Sequence, residues 1–237
     1  MLQLLPPANQ RLVWYLAMEE YVAQHVSEDT IFFWSVDPTV IFGRHQVIED
    51  EVNLTYCESH NVQFYRRKSG GGCVYADRGN LMTSFISPSP HSEAVFQQYL
   101  DMMSAALRKM GAPAVKSEHN DILVRYEDGM RKVSGNACYA LPTGSIVHGT
   151  MLYDVDFSAL QEAITPSREK LAKHGVQSVR QRVINLRPML SYPDMEVFAK
   201  TLGEVLCPNA RPLTADEIAA IDELEKPYLE HDFIFGK

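Results

Sequence analysis

Apolar and polar residues follow a helical spacing in a few long stretches of the chain. Near the start, an apolar stripe predicts a helix that Asn9 caps and that ends at about residue 26. A long helix is predicted from about His91 to Lys109. Helices are therefore expected to flank the middle of the chain. From Phe157 onward, mostly short helices are predicted, with helical runs at 191–206 and 214–225.

Runs of β-branched and aromatic residues dominate the middle of the chain and predict strands. The runs TIFFWSV (30–36) and TVIFGR (39–44) are split by Asp37-Pro38, which predicts a hairpin-like break. A short helix is predicted at 49–60, and DRGN (77–80) and EDGM (127–130) predict turns between strands. The other predicted strands span 62–67, 73–76, 81–87, 121–126, 132–140 and 146–155.

The joins between these predicted strands are mostly short, which favours antiparallel pairing over crossover connections. The sequence shows no internal repeat, no low-complexity tract and no linker composition. We therefore predict an α+β fold with a mixed, mainly antiparallel sheet flanked by helices. We expect a single domain over residues 1–237, in which 190–237 forms a helical C-terminal extension.

Charge and hydropathy restrict the classes of function. The formal net charge of −8 argues against a general nucleic-acid binder, which needs a broad basic surface. No apolar run is long enough to span a bilayer, and prolines interrupt the N-terminal segment where a signal peptide needs a continuous apolar region. We expect the chain to begin with the mature fold and to have neither a nucleic-acid nor a membrane partner.

The four cysteines are widely spaced, without CxxC pairs, so they indicate neither a zinc site nor a disulfide framework. A reduced, cytoplasmic location is therefore predicted.

The segment RRKSGGGCVYADRGNL (66–81) carries the strongest chemical signal. Consecutive glycines allow positive φ angles and let a ligand touch the main chain, and their N–H groups can form an anion-binding nest. Neither the GxxxxGK[ST] nor the GxGxxG spacing is present. A sharp turn between two strands is the structural alternative. Because Arg66, Arg67 and Lys68 directly precede the glycines in an acidic chain, we favour a phosphate or carboxylate site.

Four further segments are weaker on their own. In RKVSGNACY (131–139) a lysine begins a strand-like run, and an exposed edge lysine is the commoner case. In HNDILV (119–124) the Asn and Asp could cap a turn or hold Mg²⁺ or a ribose hydroxyl. The His-Gly of VHGTMLYDV (147–155) is more typical of a packed histidine. In SVRQRVINL (178–186), Arg180 and Arg182 lie on one face of an extended segment, where a solvated basic edge is the alternative.

The order of these segments strongly resembles the lipoate-protein ligase A family. GRHQ (43–46) matches an earlier G-R-x-Q segment of that family, and the resemblance runs from about residue 10 to about residue 190. The RRxSGGGxVxxDxGN pattern is rather specific to this family and to its lipoyl and octanoyl transferase relatives. The resemblance implies a biotin/lipoyl protein ligase-like catalytic domain.

The resemblance also implies a reaction. Such ligases activate lipoate with ATP and Mg²⁺ to lipoyl-AMP, releasing pyrophosphate, and then transfer the lipoyl group to a lysine of an acceptor. The acceptors are lipoyl domains of 2-oxoacid dehydrogenase complexes or the H protein of the glycine cleavage system. Adenylation makes a mixed anhydride, from which AMP leaves easily. The enzyme must hold two anions close together and neutralise their repulsion.

Residue roles follow from the resemblance. Lys132 occupies the family's lysine position and would bridge the lipoyl carbonyl and the phosphate. Gly70 and Gly71 would let the acyl chain pass beside main chain. Asn80 and Asp121 match polar positions near the nucleotide and metal, with Asp121 as the metal candidate. The segment that would line the nucleotide comprises Arg67, Gly72, Cys73, Val74 and Tyr75.

Two departures from the family pattern affect these expectations. Ala76 stands where many members have histidine. Many members also carry a separate C-terminal domain that supports adenylation, and we expect this chain to lack it. Since some members have that domain as a separate polypeptide, an accessory polypeptide is a predicted partner.

Two other functions remain open at this point. One is a lipoyl or octanoyl transferase that uses an activated or carrier-bound acyl group and has no adenylation activity of its own. The enzymes that move the group between carriers use a cysteine thiolate. One type of octanoyltransferase places that cysteine where this chain has Ser145. Cys73 and Cys138 lie near the proposed site, but we favour them as buried small hydrophobes. The other is a binding scaffold without catalysis, against which the presence of Lys132 argues.

Overall fold

The strands form two sheets in the computed structural model, which describes residues 1–127, 129–164 and 182–236. The larger sheet has eight strands and the smaller has three. In chain order the strands are β1 (Leu2–Leu5), β2 (Thr30–Trp34), β3 (Thr39–Phe42), β4 (Gln63–Arg66), β5 (Val74–Ala76), β6 (Asn80–Ser87), β7 (Ala114–Lys116), β8 (Asp121–Tyr126), β9 (Gly129–Leu141), β10 (Gly144–Leu152) and β11 (Ala210–Pro212).

The larger sheet has the order β11-β1-β2-β6-β10-β9-β8-β7. Its first two neighbouring pairs, β11 with β1 and β1 with β2, are parallel, and the five other pairs are antiparallel. The predicted α+β fold with a mixed, mainly antiparallel sheet is confirmed. The smaller sheet has the order β4-β3-β5, with β4 parallel and β5 antiparallel to β3.

Helices pack against the large sheet, and every residue of its central strands β6 and β10 is buried. The first helix is apolar on nearly all sides and packs into one core cluster with Phe32, Ile146 and Ile221. A second core cluster holds the long helix and the helix of Phe198 and Leu202. The helices are α1 (Leu12–His25), α2 (Ile48–Glu51), α3 (Leu54–Ser59), α4 (Ser92–Lys109), α5 (Phe157–Ala163), α6 (Met195–Leu206), α7 (Ala215–Glu225) and α8 (His231–Phe235).

Several predicted element bounds need correction. Asn9 does not cap the first helix, because its φ is 64° and α1 begins at Leu12, after Arg11. The predicted hairpin over 30–44 is wrong, since β2 belongs to the large sheet and β3 to the small one. Both strands are buried almost throughout, so no alternation of polar residues marks their partners. The strands missed by the sequence pattern are β1, β7 and β11.

Other predicted features appear as expected. Tyr126 lies opposite Gly129 where β8 and β9 pair, as the EDGM turn predicts. The runs at 191–206 and 214–225 form α6 and α7. The segment 190–237 is not purely helical, however, because β11 pairs with β1 at the edge of the large sheet. Arg180 and Lys237 lie outside the described residues, and the single-domain organisation stays a prediction.

Candidate active site

A cavity of about 350 Å³ opens between the glycine-rich loop and the strands β9 and β10. Most of the predicted site residues meet at its wall. Apolar side chains, among them Trp34, Ile41 and Met82, line one portion of the wall, and Asn120 and Asn136 contribute amides. The cavity therefore offers both an apolar and a polar surface to one ligand. The predicted residues at the wall are Arg67, Gly71, Gly72, Cys73, Val74, Tyr75, Asp121 and Lys132.

Arg67 holds the glycine-rich loop from inside. Its guanidinium donates to the carbonyls of Gly70 and Gly72, each at 2.8 Å, to that of Ile41 at 3.2 Å, and to Oγ of Ser69 at 3.0 Å. Burial lowers the pKa of Arg67 to about 10, so it stays charged at neutral pH. The loop conformation is thus fixed by a buried cation before any ligand arrives.

The two cations beside Arg67 have other partners. Arg66 donates to the main-chain carbonyls of Phe233 and Ile234, each at 2.9 Å, and Lys68 lies 2.7 Å from Oε1 of Glu20. Neither side chain lines the cavity. Of the three basic residues that directly precede the glycines, Arg67 is the one that lines the cavity.

Glycine is required at two points of this loop region. Gly71 has φ of 93°, which side chains rarely adopt. At Gly43 a Cβ would lie 2.3 Å from the carbonyl oxygen of Gly71, so the GRHQ segment touches the loop backbone. A Cβ at Gly70 would meet nothing within 4 Å, and Gly70 does not line the cavity. Gly71 and Gly72, rather than Gly70, are therefore in a position to lie beside the acyl chain.

A β-bulge directs Lys132 toward the cavity. Leu123 pairs with Lys132 and Ile122 with Ser134, so one extra residue stands between them on β9. The side chain of Lys132 therefore folds over Gly135, where a Cβ would lie 2.4 Å from Nζ. Glycine three residues after the lysine leaves the space that the ammonium occupies.

Asp121 joins the two cations at this end of the cavity. Nζ of Lys132 lies 2.7 Å from Oδ1 of Asp121, and Arg182 pairs with Oδ2. Burial lowers the pKa of Lys132, and the carboxylate of Asp121 acts in the opposite direction. Arg182, predicted in the basic segment, thus reaches the site through Asp121.

The geometry does not fit the metal role predicted for Asp121. Its two oxygens face Lys132 and Arg182. In the ranges that the structure describes, no three His, Cys, Asp or Glu side chains are grouped to hold a metal ion. Asn80 lies elsewhere: it is fully buried at the start of β6, where Nδ2 is 3.5 Å from the carbonyl of Tyr75.

A buried hydrogen-bonded series links the loop to α1. Nδ1 of His148 lies 3.0 Å from Oε2 of Glu19, and Nε2 lies 2.7 Å from Oγ of Ser69. The ring of His148 thus lies between the carboxylate of Glu19 and the hydroxyl of Ser69. Glu19 also accepts from Ser84 at 2.6 Å. The sequence contained one signal for this series, a glutamate inside the apolar stripe of the first helix.

The cysteines differ in their surroundings. Cys138 does not line the cavity, and burial raises the pKa of its thiol to about 11. Cys73 lies in the cavity wall. Ser145, at the position where some octanoyltransferases have a cysteine, donates to the carbonyl of Ser89 at 2.7 Å. Cys138 therefore does not supply an activated thiol, and Ser145 has a hydroxyl in place of the thiol.

Comparison with solved structures gives the class of the fold. The structure of a bi-partite lipoate protein ligase and its E2 lipoyl domain from Thermoplasma acidophilum matches with a TM-score of 0.83 and 26% identity, over 99% of this chain and 95% of that chain. A lipoate-protein ligase A bound with ATP matches with a TM-score of 0.78 and 24% identity, over 99% and 98%. The fold is therefore that of the biotin/lipoate ligase class.

The sequence identifies the family within this class. A family model described as the lipoyl protein ligase A/B catalytic domain matches residues 13–206, so the chain belongs to that family. It is 37% identical over 191 residues to lipoate–protein ligase 1 from Staphylococcus aureus. The match covers 79% of this chain and 57% of that relative. The resemblance predicted from the ordered motifs is confirmed.

No helix in the described part of the chain is both long and apolar enough to cross a membrane.

Proposed function

We propose that this protein is an ATP-dependent lipoate-protein ligase. It activates lipoate to lipoyl-AMP and transfers the lipoyl group to a lysine of an acceptor lipoyl domain. The observation that carries this proposal is the ammonium of Lys132 at the wall of a cavity that also presents the glycine-loop backbone and apolar side chains.

The charges of the site suit the adenylation step. Lipoate and ATP are both anionic, and attack of the carboxylate on the α-phosphate brings these charges together. Lys132 and Arg67 place two cations at the same cavity wall, of which Arg67 is buried and Lys132 half-buried. In a site of low dielectric, fixed cations stabilise developing charge more strongly than water does.

Lys132 would bridge the acyl carbonyl and the phosphate in both half-reactions. Gly71 and Gly72 leave room for the acyl chain beside main chain, and the backbone of 72–75 lines the nucleotide. In adenylation, a carboxylate oxygen forms a new P–O bond with the α-phosphorus of ATP. The bond from that phosphorus to the bridging oxygen breaks, and pyrophosphate leaves with the bonding electrons. In transfer, the acceptor amine forms an amide bond and AMP takes the bonding electrons. No covalent enzyme intermediate is required.

The relatives support the choice of substrates and partner. The relative from S. aureus is a lipoate–protein ligase, and the Thermoplasma structure belongs to a lipoylation system of a bi-partite lipoate protein ligase and its E2 lipoyl domain. For this chain we propose ATP as its Mg²⁺ complex, lipoate, and an acceptor lipoyl domain of a 2-oxoacid dehydrogenase complex or the glycine cleavage H protein. A separate accessory polypeptide is a further proposed partner, and the location is proposed as cytoplasmic.

Two assays test the proposal on the full chain. In the first, the protein receives lipoate, ATP and Mg²⁺, and we expect lipoyl-AMP and pyrophosphate. In the second, it receives preformed lipoyl-AMP and an acceptor domain, and we expect a lipoylated lysine. Lys132→Met keeps the length of the side chain but removes its charge, and should lower both rates by about 100-fold or more.

Lys116→Met is the matched control, because Lys116 lies exposed at the far edge of the same sheet and pairs with Asp101. It should leave both rates unchanged. Transfer from lipoyl-AMP that proceeds equally well in Lys132→Met would show that the central assignment is wrong. Pyrophosphate that forms only after addition of a second polypeptide would place adenylation in the assembled pair.

A further inference from the structure

The glycine-rich loop is held by the C-terminal segment of the described chain. This C-terminal segment comprises α7, the 3-10 turn Lys226–Leu229 and α8. It does not line the cavity, yet it contacts the side chains of Arg66 and Lys68 at the entrance to the loop. We propose that Tyr228 is a positioning residue of the glycine-rich loop, acting through Glu20 on Lys68.

The contact between the two segments is centred on Glu20. Both oxygens of this carboxylate receive Nζ of Lys68, at 2.7 and 2.8 Å, and Oε1 also accepts from the hydroxyl of Tyr228. The ammonium lies 4.6 Å from the centroid of the Tyr228 ring, within range of a cation–π interaction. Glu20 and Tyr228 are almost fully buried. The ammonium of Lys68 therefore contacts two groups that involve Tyr228. One is the carboxylate of Glu20, which accepts from the Tyr228 hydroxyl, and the other is the face of the Tyr228 ring.

Arg66 provides a second, independent attachment. Its guanidinium donates to carbonyls of Phe233, Ile234 and Gly236 on one side, and to carbonyls of Arg44 and Gln46, each at 2.8 Å, on the other. A planar fork of five N–H groups suits such a cluster of acceptors. The end of β4 is thereby joined both to the C-terminal segment and to the GRHQ segment that touches Gly71.

Successive residues at the entrance to the loop contact alternate sides. Arg66 and Lys68 contact the C-terminal segment and α1, whereas Arg67 and Ser69 contact the loop carbonyls and His148. Arg66 is the last residue of β4, and the chain bends at Lys68 and Ser69. The residues that touch the ligand cavity are thus set in place by neighbours that point away from it.

The consequence concerns the proposed nucleotide contact. The backbone of 72–75 follows directly from residues 66–69, so loosening Lys68 lets the loop sample other conformations. The nucleotide then binds only to those molecules whose loop has the correct conformation. The apparent affinity for the nucleotide falls in proportion to the fraction of molecules in that conformation. The chemical step, which depends on Lys132, is not altered once the ligand is bound. This inference about nucleotide affinity rests on the proposed function.

The experiment compares three variants of the full chain with the wild type. Tyr228→Phe removes only a hydroxyl, Lys68→Met removes the ammonium, and the third variant combines them. KM for ATP should rise about fivefold in each single variant while kcat changes by less than about twofold. The combined variant should be no worse than Lys68→Met alone, because both substitutions interrupt one connection.

Lys226→Met is the matched control, since Lys226 lies two residues before Tyr228 and pairs with the exposed Glu223. It should leave KM for ATP unchanged. Lys68→Arg, which keeps the charge, should restore most of the affinity that Lys68→Met loses. A merely structural role would lower stability without this separation of KM from kcat.

Amide hydrogen exchange of peptides covering 66–76 gives a readout that does not depend on ligase activity. Exchange should quicken by about fivefold or more in Tyr228→Phe and Lys68→Met, but not in Lys226→Met. Unchanged exchange and KM, or effects that multiply in the combined variant, would overturn the positioning role. Faster exchange in a chain without ligase activity would retain the positioning role and reject the proposed function instead.

Discussion

Nζ of Lys132 lies 2.7 Å from Oδ1 of Asp121, and the second oxygen of that carboxylate pairs with Arg182. The ammonium proposed to bridge acyl group and phosphate is thus already paired before substrate binds. Burial lowers the pKa of Lys132 below its usual 10.5, and Asp121 limits that decrease. The carboxylate therefore keeps Lys132 charged in a place that disfavours charge.

The first prediction concerns Asp121→Asn. Loss of the carboxylate removes the interaction that raises the pKa of Lys132, while burial and Arg182 still lower it. The alkaline decline in the rate of pyrophosphate release should therefore move to a lower pH. A pH profile of kcat/KM for adenylation, measured without acceptor, checks this.

A matched variant shows whether this alkaline decline belongs to Lys132. In Lys132→Arg the side chain stays charged at every accessible pH, so any remaining activity should show no alkaline decline in this range. If Asp121→Asn leaves the profile where it was, Asp121 does not hold the charge of Lys132.

The second prediction separates the ligase from a thiol-dependent acyltransferase. With a pKa of about 11, the thiol of Cys138 is ionised in only about one molecule in 3,000 at pH 7.5. Cys138→Ser should therefore change adenylation and transfer rates by less than about twofold. No transfer should occur from an octanoyl carrier without ATP. Carrier-dependent transfer that disappears in Cys138→Ser would support the acyltransferase instead.

The family could be predicted from sequence because its motifs consist of residues close together in the chain. The glycines of 70–72 and the bulge-forming run from Lys132 to Gly135 are local patterns. Their order identified the family, and most of the predicted wall residues do meet in one cavity.

The supporting contacts could not be predicted in this way. His148 and Glu19 are 129 positions apart, and Tyr228 and Glu20 are 208 apart. Such pairs arise from the packing of α1 against β10 and the C-terminal segment, which leaves no periodic signal in the chain. The directions of Arg66 and Lys68 depend on the same packing, so the sequence alone did not show that these two side chains contact other partners than the cavity.

The third prediction concerns acid stability at the start of α7. Glu217 forms a capping box with Thr214 and a paired contact with Arg211, at 2.8 Å for each oxygen. Its hydrogen bonds with Arg211 lower the pKa of Glu217 from 4.5 to about 2. Since this pKa is lower in the folded state, its contribution to stability is complete above pH 4.5. That contribution disappears as the pH falls toward 2.

Glu217→Gln should lower the free energy of unfolding at pH 7 by about 1 kcal/mol. The difference from the wild type should shrink through the window from 4.5 to about 2, as measured by urea unfolding at a series of pH values. Glu223→Gln, which breaks an exposed pair with Lys226, should have a much smaller effect. A constant difference across the window would mean that the ionised Glu217 is not the source.

The last prediction tests why glycine occurs at each position of the loop region. In Gly43→Ala the new Cβ would lie 2.3 Å from the carbonyl oxygen of Gly71, a backbone atom that cannot simply rotate away. The loop must shift, so Gly43→Ala should raise KM for ATP about tenfold or more while the cores remain folded. Gly70→Ala is the matched substitution, because its Cβ meets nothing within 4 Å. It should leave KM for ATP within about twofold. Equal effects of the two substitutions, compared at equal melting temperature, would mean that chain flexibility, rather than the approach of Gly43 to Gly71, sets the requirement for glycine.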